Sequence, residues 1–250
     1  MKAAVVIPTF NEQENLGPLV EEIVALGDHG RTALEVIVVD DNSPDGTGKV
    51  ADDLAAKYAT VKVIHRQGKG GRGSACIAGF RQSLQRPEFG YFFEMDADFS
   101  HDPQDIPRFL EAMRGADGEC TSLVVIGSRY VPGAKIVNWG IQRHIFSRLS
   151  NLFARLMLGV PIHDYTDGYR CYSRRALESI DFDRIEAHGY IVLSEMAYQL
   201  HRRGSKFAEI PITFVNRRRG TSNTSLQEIV DAFTSVIKLS RSDRAKYGKV

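Results

Sequence analysis

The chain is short of cysteine, of net charge and of long apolar runs. Its 250 residues include three cysteines, Cys76, Cys120 and Cys171, far apart in the sequence. So small, odd and dispersed a set excludes a disulfide framework and a zinc cluster, and predicts reduced thiols in or near a core. The formal net charge is +1 and the pI about 7.8. That balance excludes global attraction to nucleic acid, and no nucleic-acid partner is expected. Anions must be bound by local clusters instead. Nothing approaches the ~18 consecutive apolar residues of a membrane span. The apolar run at 3–8 is too short for a signal peptide and leads straight into Asn11-Glu12-Gln13-Glu14. Any membrane role is therefore expected to be peripheral.

What is present is ordinary for a packed domain: 43% hydrophobic and 25% charged residues. Apolar runs predict strands at 3–7, 34–39, 61–65 and 91–95, and such runs suit strands buried on both faces. Between them, helices are predicted at 11–26, 47–58 and 74–84. The first of these gathers Leu16, Leu19, Val20 and Ile23 on one face. Strands separated by helices predict an α/β fold with a mostly parallel, doubly wound sheet. Ligands in such sheets bind beyond the carboxyl ends of the strands. Polar clusters follow three of the strands there, at 8–12, 40–45 and 96–102. A glycine-rich loop, 68–73, follows the other. The C-terminal part is less regular, with a strand at 123–127, a long helix at 138–158, a strand at 207–214 and an amphipathic helix at 226–239. No repeat or linker interrupts it, so a single domain is expected.

Asp96-Ala97-Asp98 ends an apolar strand. In extended chain, residues i and i+2 point to one side, so the two carboxylates can share a hard divalent cation, Mg²⁺ or Mn²⁺. Diphosphate oxygens would complete its shell, and the metal would neutralise a leaving nucleoside diphosphate. Asp40-Asp41 ends another buried strand and offers acceptors to a base or ribose. Asp45 suits a helix cap. The loop Gly68-Lys69-Gly70-Gly71-Arg72-Gly73 is glycine-rich but lacks the P-loop pattern.

Three segments resemble the dolichyl-phosphate (polyprenyl-phosphate) mannose synthases, inverting family-2 glycosyltransferases of the Rossmann-like GT-A fold. They are Val6-Ile7-Pro8-Thr9-Phe10-Asn11-Glu12, Asp40-Asp41-Asn42-Ser43-Pro44-Asp45-Gly46-Thr47 and Met95-Asp96-Ala97-Asp98-Phe99-Ser100-His101-Asp102-Pro103. Gly127-Ser128-Arg129-Tyr130, Asp164-Tyr165-Thr166-Asp167-Gly168-Tyr169-Arg170-Cys171-Tyr172 and Arg217-Arg218-Arg219-Gly220-Thr221-Ser222 continue the likeness. The resemblance implies that Pro8, Phe10, Glu12, Val39 and Asp41 line a guanine nucleoside pocket. It implies that Asp96, Ala97 and Asp98 face the diphosphate, with Asp96, Asp98 and Ser100 on the metal. Arg129, Arg143, Ser147 and Arg217 would bind the phosphates of donor and acceptor, Arg129 joining Asp96 and Asp98 as catalytic. Phe10 stands where the family often has Tyr, and Asn223 where it usually has Lys. The implied reaction moves mannose from GDP-mannose to a polyprenyl (dolichyl) phosphate. The same framework serves relatives that use another donor, such as UDP-glucose, or another acceptor. Residues of about 1–122 would bind the nucleotide sugar and about 123–250 the acceptor.

From Cys120 to His163 there is no Asp or Glu, while Arg129, Lys135, Arg143, Arg148 and Arg155 fall there. The surface is expected to be locally cationic. On the long helix, Ile145, Phe146, Leu149, Leu152, Phe153, Leu156 and Met157 form one apolar face, with Arg143 and Ser147 together on the polar face. Such a helix can pack on its own sheet or lie in a membrane interface. The expected location is the cytoplasmic face of a membrane, by surface docking or through a membrane-anchoring partner protein. An acceptor phosphate monoester, with a second pKa of about 6, is mostly dianionic near neutrality and needs no general base. The chemical problem is to let two anionic reactants meet. Asp167 could orient a hydroxyl or pair with Arg170, and no chemistry is assigned to His65, His101 or His163.

Overall fold

The computed structural model describes residues 2–29, 32–114, 123–185, 189, 191–216 and 226–241. The N-terminal elements alternate as expected: β1 (Lys2–Thr9), α1 (Gln13–His29), β2 (Ala33–Asp40), α2 (Thr47–Lys57), β3 (Val61–His65), α3 (Arg72–Leu84) and β4 (Phe89–Glu94). They are followed by α4 (Ile106–Arg114), β5 (Leu123–Ser128), β6 (Lys135–Val137), α5 (Ile141–Leu158), β7 (Arg170–Ser173) and α6 (Arg174–Glu178). The last elements are α7 (Ile191–Arg202), β8 (Lys206–Pro211), β9 (Thr213–Val215) and α8 (Leu226–Arg241).

Seven strands form one sheet in the order β3-β2-β1-β4-β7-β5-β8. All neighbours pair in parallel except β7, which runs antiparallel to both β4 and β5. The predicted strand at 207–214 is two strands. β8 extends the main sheet beside β5, and β9 pairs with β6 in a separate ribbon. Pro211 ends β8, where a residue without an N–H cannot continue a ladder.

Helices cover both faces of the sheet. Along β1, Ala4 and Val6 join a core with α3, α5, α7 and α8, while Ala3, Val5 and Ile7 join one with α1, α2 and α4. The period of two in a strand thus feeds two cores from one apolar run. Large buried rings anchor the second core: Phe93 and Phe109 stack edge to face at 5.7 Å, and burying each ring is worth roughly 1.5–3 kcal/mol. Gly79 lets α3 press onto β1, since a Cβ there would lie 2.5 Å from Val6 Cγ1.

Candidate active site

The order β2-β1-β4 makes the gap between β1 and β4 the point where the winding of the sheet reverses. Their register ends at Val6 and Glu94, and beyond it the two chains diverge. Pro8 lies past that point, so its missing N–H leaves no rung broken toward β4. The divergence opens a cavity of about 150 Å³ lined by Pro8, Thr9, Phe10, Glu12, Asp41, Lys69, Gly71, Arg72, Ala75, Asp96, Ala97 and Asp98. Of the residues expected to hold a donor, seven meet in this lining: Pro8, Phe10, Glu12, Asp41, Asp96, Ala97 and Asp98. Val39 does not. Its side chain is buried between β1 and α3.

Asp41 organises the rim. One carboxylate oxygen pairs with Arg66, and the other accepts the backbone N–H groups of Gly70 at 3.0 Å and Gly71 at 2.7 Å. The glycine-rich loop is therefore tied down by the carboxylate expected to read a nucleoside. It sets the Lys69 ammonium 4.0 Å from the centroid of the Phe10 ring. Asp45 ties the opposite rim by accepting from the N–H of Gln13, which opens α1, and from that of Thr47, which opens α2.

At the far side, Phe99 adopts φ 59°, an uncommon left-handed conformation, and the turn swings the Ser100 N–H onto Asp98 Oδ1 at 3.1 Å. Ser100 Oγ is buried and has no hydrogen-bond partner among the described residues. Two carboxylates and an unsatisfied hydroxyl are the oxygen donors a hard divalent cation takes. Among the described residues no cluster of three or more acidic, His or Cys side chains could hold a metal alone. Such a set fits a cation that shares its shell with a diphosphate.

Sequence reasoning missed the partner of Asp96. The Arg72 Nε–H donates to Asp96 Oδ1 at 2.6 Å, while Nη1 donates to Glu94 Oε2 at 3.0 Å and Nη2 to the Gly168 carbonyl at 2.9 Å. The signal was an acid at the end of a buried strand: Glu94 is 1% exposed, and such a charge demands a partner.

A buried chain of polar groups leaves the crevice through His101. The Asp96 backbone N–H donates to Nδ1 at 3.1 Å, and Nε2 lies 3.2 Å from Asp167 Oδ1. Burial opposes charge on this ring, while Asp167, Asp96 and Asp98 hold its pKa up. A second proton on Nδ1 would break the bond from Asp96, so the geometry fits the neutral ring with its hydrogen on Nε2. Asp167 Oδ2 lies 3.2 Å from Arg129 Nε, and Arg129 pairs bidentately with Asp164 at 2.8 and 2.7 Å. Arg129 is thus buried between two acids, with its guanidinium directed at them. Burial pushes its pKa down, but Asp164 and Asp167 carry it upward. Asp167 does not pair with the Arg170 side chain through its carboxylate. Arg170, fully buried, donates to the carbonyls of Asp167, Tyr165 and Leu193.

Beside this chain, Tyr130 donates its hydroxyl to Ser147 Oγ at 2.6 Å. One turn away, Arg143 stacks 4.1 Å over Trp139 and donates to Asn216 at 2.8 Å. Arg143 and Ser147 therefore share one surface of α5. Arg217 follows Asn216 but lies outside the described residues, as do Asn223 and Cys120. The apolar face of α5 divides in two. Phe153 and Met157 pack inward, with Phe153 against Phe233 of α8 at 4.9 Å, whereas Ile145, Leu149, Leu152 and Leu156 are exposed, Leu156 to 76%. No helix among the described residues is long and apolar enough to cross a membrane.

A mostly parallel sheet with a carboxylate-lined crevice at its switch point, flanked by helices on both faces, is a GT-A-like fold. The chain belongs to glycosyl transferase family 2, whose profile matches residues 4–181. It is 45% identical over 241 residues to the undecaprenyl-phosphate mannosyltransferase of Micrococcus luteus, covering 95% of this chain and 93% of that one. It is 42% identical over 250 residues to the polyprenol monophosphomannose synthase of Mycolicibacterium smegmatis, covering 98% and 90%. Among solved structures it resembles the glucosyl-3-phosphoglycerate synthase of Mycobacterium tuberculosis in complex with Mn²⁺, UDP and glucosyl-3-phosphoglycerate. There the TM-score is 0.65 at 22% identity, over 96% of this chain and 79% of that one. The last likeness shows the fold alone.

Proposed function

We propose that the protein transfers mannose from GDP-mannose to the phosphate of a membrane polyprenol, with inversion at the anomeric carbon. One observation carries the reading: at 45% and 42% identity over nearly the whole of both chains, the two bacterial relatives are a mannosyltransferase and a phosphomannose synthase of polyprenols. The crevice is consistent with a donor of this kind. Phe10 offers a ring face to a base, Asp41 and Glu12 offer acceptor oxygens, and Pro8 lies beside them in the lining. The N-terminal half, to about residue 122, binds the nucleotide sugar, and the rest receives the acceptor.

Asp96, Asp98 and Ser100 would hold Mg²⁺ or Mn²⁺, which when bound neutralises charge on the departing diphosphate. Arg143, Ser147 and Arg217 take the acceptor phosphate, and guanidinium groups suit that task because they bind phosphate bidentately. Arg129 works from behind them by holding the 164–167 loop against β5. A dianionic phosphate oxygen then attacks without giving up a proton, so no side chain need act as base. The exposed apolar face of α5, with Arg148 and Arg155 beside it, lies in the headgroup region on the cytoplasmic face of the membrane. The test is transfer of radiolabel from GDP-mannose into a lipid-soluble product in vesicles containing polyprenyl phosphate, with UDP-glucose as competitor. A labelled, acid-labile lipid is expected. Transfer from UDP-glucose instead would replace the donor assigned here.

A further inference from the structure

Arg72 donates directly to Asp96, and it is held from three sides. Its side chain is 12% exposed. Glu94 grips Nη1 at 3.0 Å, and Tyr172 fixes Glu94 by donating its hydroxyl to Oε1 at 2.6 Å. The Gly168 carbonyl takes Nη2. A Cβ on Gly168 would fall 2.1 Å from that nitrogen, so a larger residue there would push the guanidinium off this site. The Nε–H is aimed at the carboxylate that faces the crevice.

We infer that Arg72 is a positioning residue for Asp96, one that also lowers the affinity of the crevice for a bare divalent cation, so that metal and nucleoside diphosphate bind together. The inference rests on the metal reading given above for Asp96, Asp98 and Ser100. Arg72 fixes the rotamer of Asp96 and sets a full positive charge one hydrogen bond behind it. A dication arriving at Asp96 meets that charge in a partly buried setting, where repulsion is weakly screened. The diphosphate brings compensating negative charge. Glu94 moderates the effect by sharing the guanidinium between two carboxylates. Losing Arg72 frees one short side chain, a small entropic matter, and removes a whole charge beside a dication. The charge effect is the larger, so metal binding without nucleotide tightens.

The experiment is titration of the full-length protein with Mn²⁺, followed by electron paramagnetic resonance of the free ion, with and without GDP. Arg72→Leu is combined with Glu94→Gln so that no buried carboxylate is stranded. Glu94→Gln alone removes a nearby negative charge and leaves the guanidinium undivided on Asp96, so it is expected to weaken binding of Mn²⁺ alone. The double variant differs from Glu94→Gln only at Arg72, and is expected to bind Mn²⁺ alone roughly tenfold more tightly than that single variant, the scale of effects from groups behind metal ligands. With GDP present the difference shrinks. Tighter binding by the double variant supports the inference, since a merely structural role for Arg72 would loosen it. If the double variant does not fold, Arg72→Gln, which can still donate to Asp96, makes the same comparison against wild type. An equal or weaker affinity without the Arg72 charge overturns the inference and leaves the metal reading standing. Absence of Mn²⁺ binding by wild type even with GDP overturns both.

Discussion

The two halves of the molecule place their charges in opposite ways. In the N-terminal half acids are gathered along an open crevice: Asp41, Asp96 and Asp98 line it, with Asp41 and Asp98 set deep in its wall. In the C-terminal half the charge is hidden: Asp164, Asp167 and Arg170 are essentially inaccessible, while Ile145, Leu149, Leu152 and Leu156 face outward. The difference follows from what each half is proposed to meet. A nucleotide sugar is polar and calls for polar groups on display. A lipid phosphate is amphiphilic, so its half needs an apolar exterior, and a buried ion network gives that exterior a rigid backing. The His101–Asp167 contact joins the two arrangements.

Substitutions can break this contrast, and the largest expected effect is at Asp164. Asp164→Ala takes the bidentate partner from buried Arg129, leaving only Asp167 as its acid, and should cost up to about 3–5 kcal/mol of stability, measured by denaturant unfolding. A loss below ~1 kcal/mol would show that the hidden charges are not coupled. The pH dependence sharpens the point. Burial raises the Asp164 pKa, but Arg129 and its hydrogen bonds outweigh that and leave it below the ordinary value. Stability from this carboxylate is therefore full above the unfolded aspartate pKa of about 3.9, and fades as pH falls through the lower folded value. The advantage of wild type over Asp164→Asn should be constant between about pH 5 and 7 and shrink below about pH 4.

At the rim the converse is expected. Asp98→Ala should lower kcat for transfer from GDP-mannose by about 10²–10³-fold, the scale for removing one electrostatic stabiliser of a transition state, with the melting temperature near that of wild type. Turnover close to wild type would sink the role of Asp98. Next comes the outer face. Leu149→Glu with Leu156→Glu should weaken sedimentation with anionic vesicles tenfold or more, because each leucine withdrawn from an apolar phase forfeits about 1.5–3 kcal/mol. Denaturant stability should move little, as both side chains are already solvent-exposed. The smallest effect lies in the shared core: Gly79→Ala should cost about 1–3 kcal/mol by overpacking α3 on β1, read as a lower melting temperature.

The same division explains how much could be read from sequence. Apolar runs gave six of the seven strands of the main sheet, and the polar residues that follow them gave most of the crevice lining, because both are local signals. Among the helices missed, α4 did carry a local signal, with Ile106, Phe109, Leu110 and Met113 spaced along one face. Most of α7, from Val192 to Leu200, is buried, so its polar residues do not mark an exposed face. β7 opens on a buried arginine and pairs antiparallel, which no short window reveals. The helix read at 138–158 begins at Ile141, after Trp139 and Gly140 have turned the chain. The Arg72–Glu94 and Arg129–Asp164 pairs join residues 22 and 35 positions apart. Their sequence trace was only an acid within an apolar strand or an arginine just after one.

Because β7 comes from late in the chain yet sits between β4 and β5, the sheet cannot be divided where the chain passes from α4 to β5. An early fragment would expose one edge of β4, and a late fragment would lack the neighbour that β7 requires. Donor and acceptor preferences are thus not exchangeable cassettes. A hybrid enzyme assembled by swapping halves of two relatives would have to fit a foreign β7 into the middle of its sheet. Retuning specificity one rim loop at a time leaves that seam untouched.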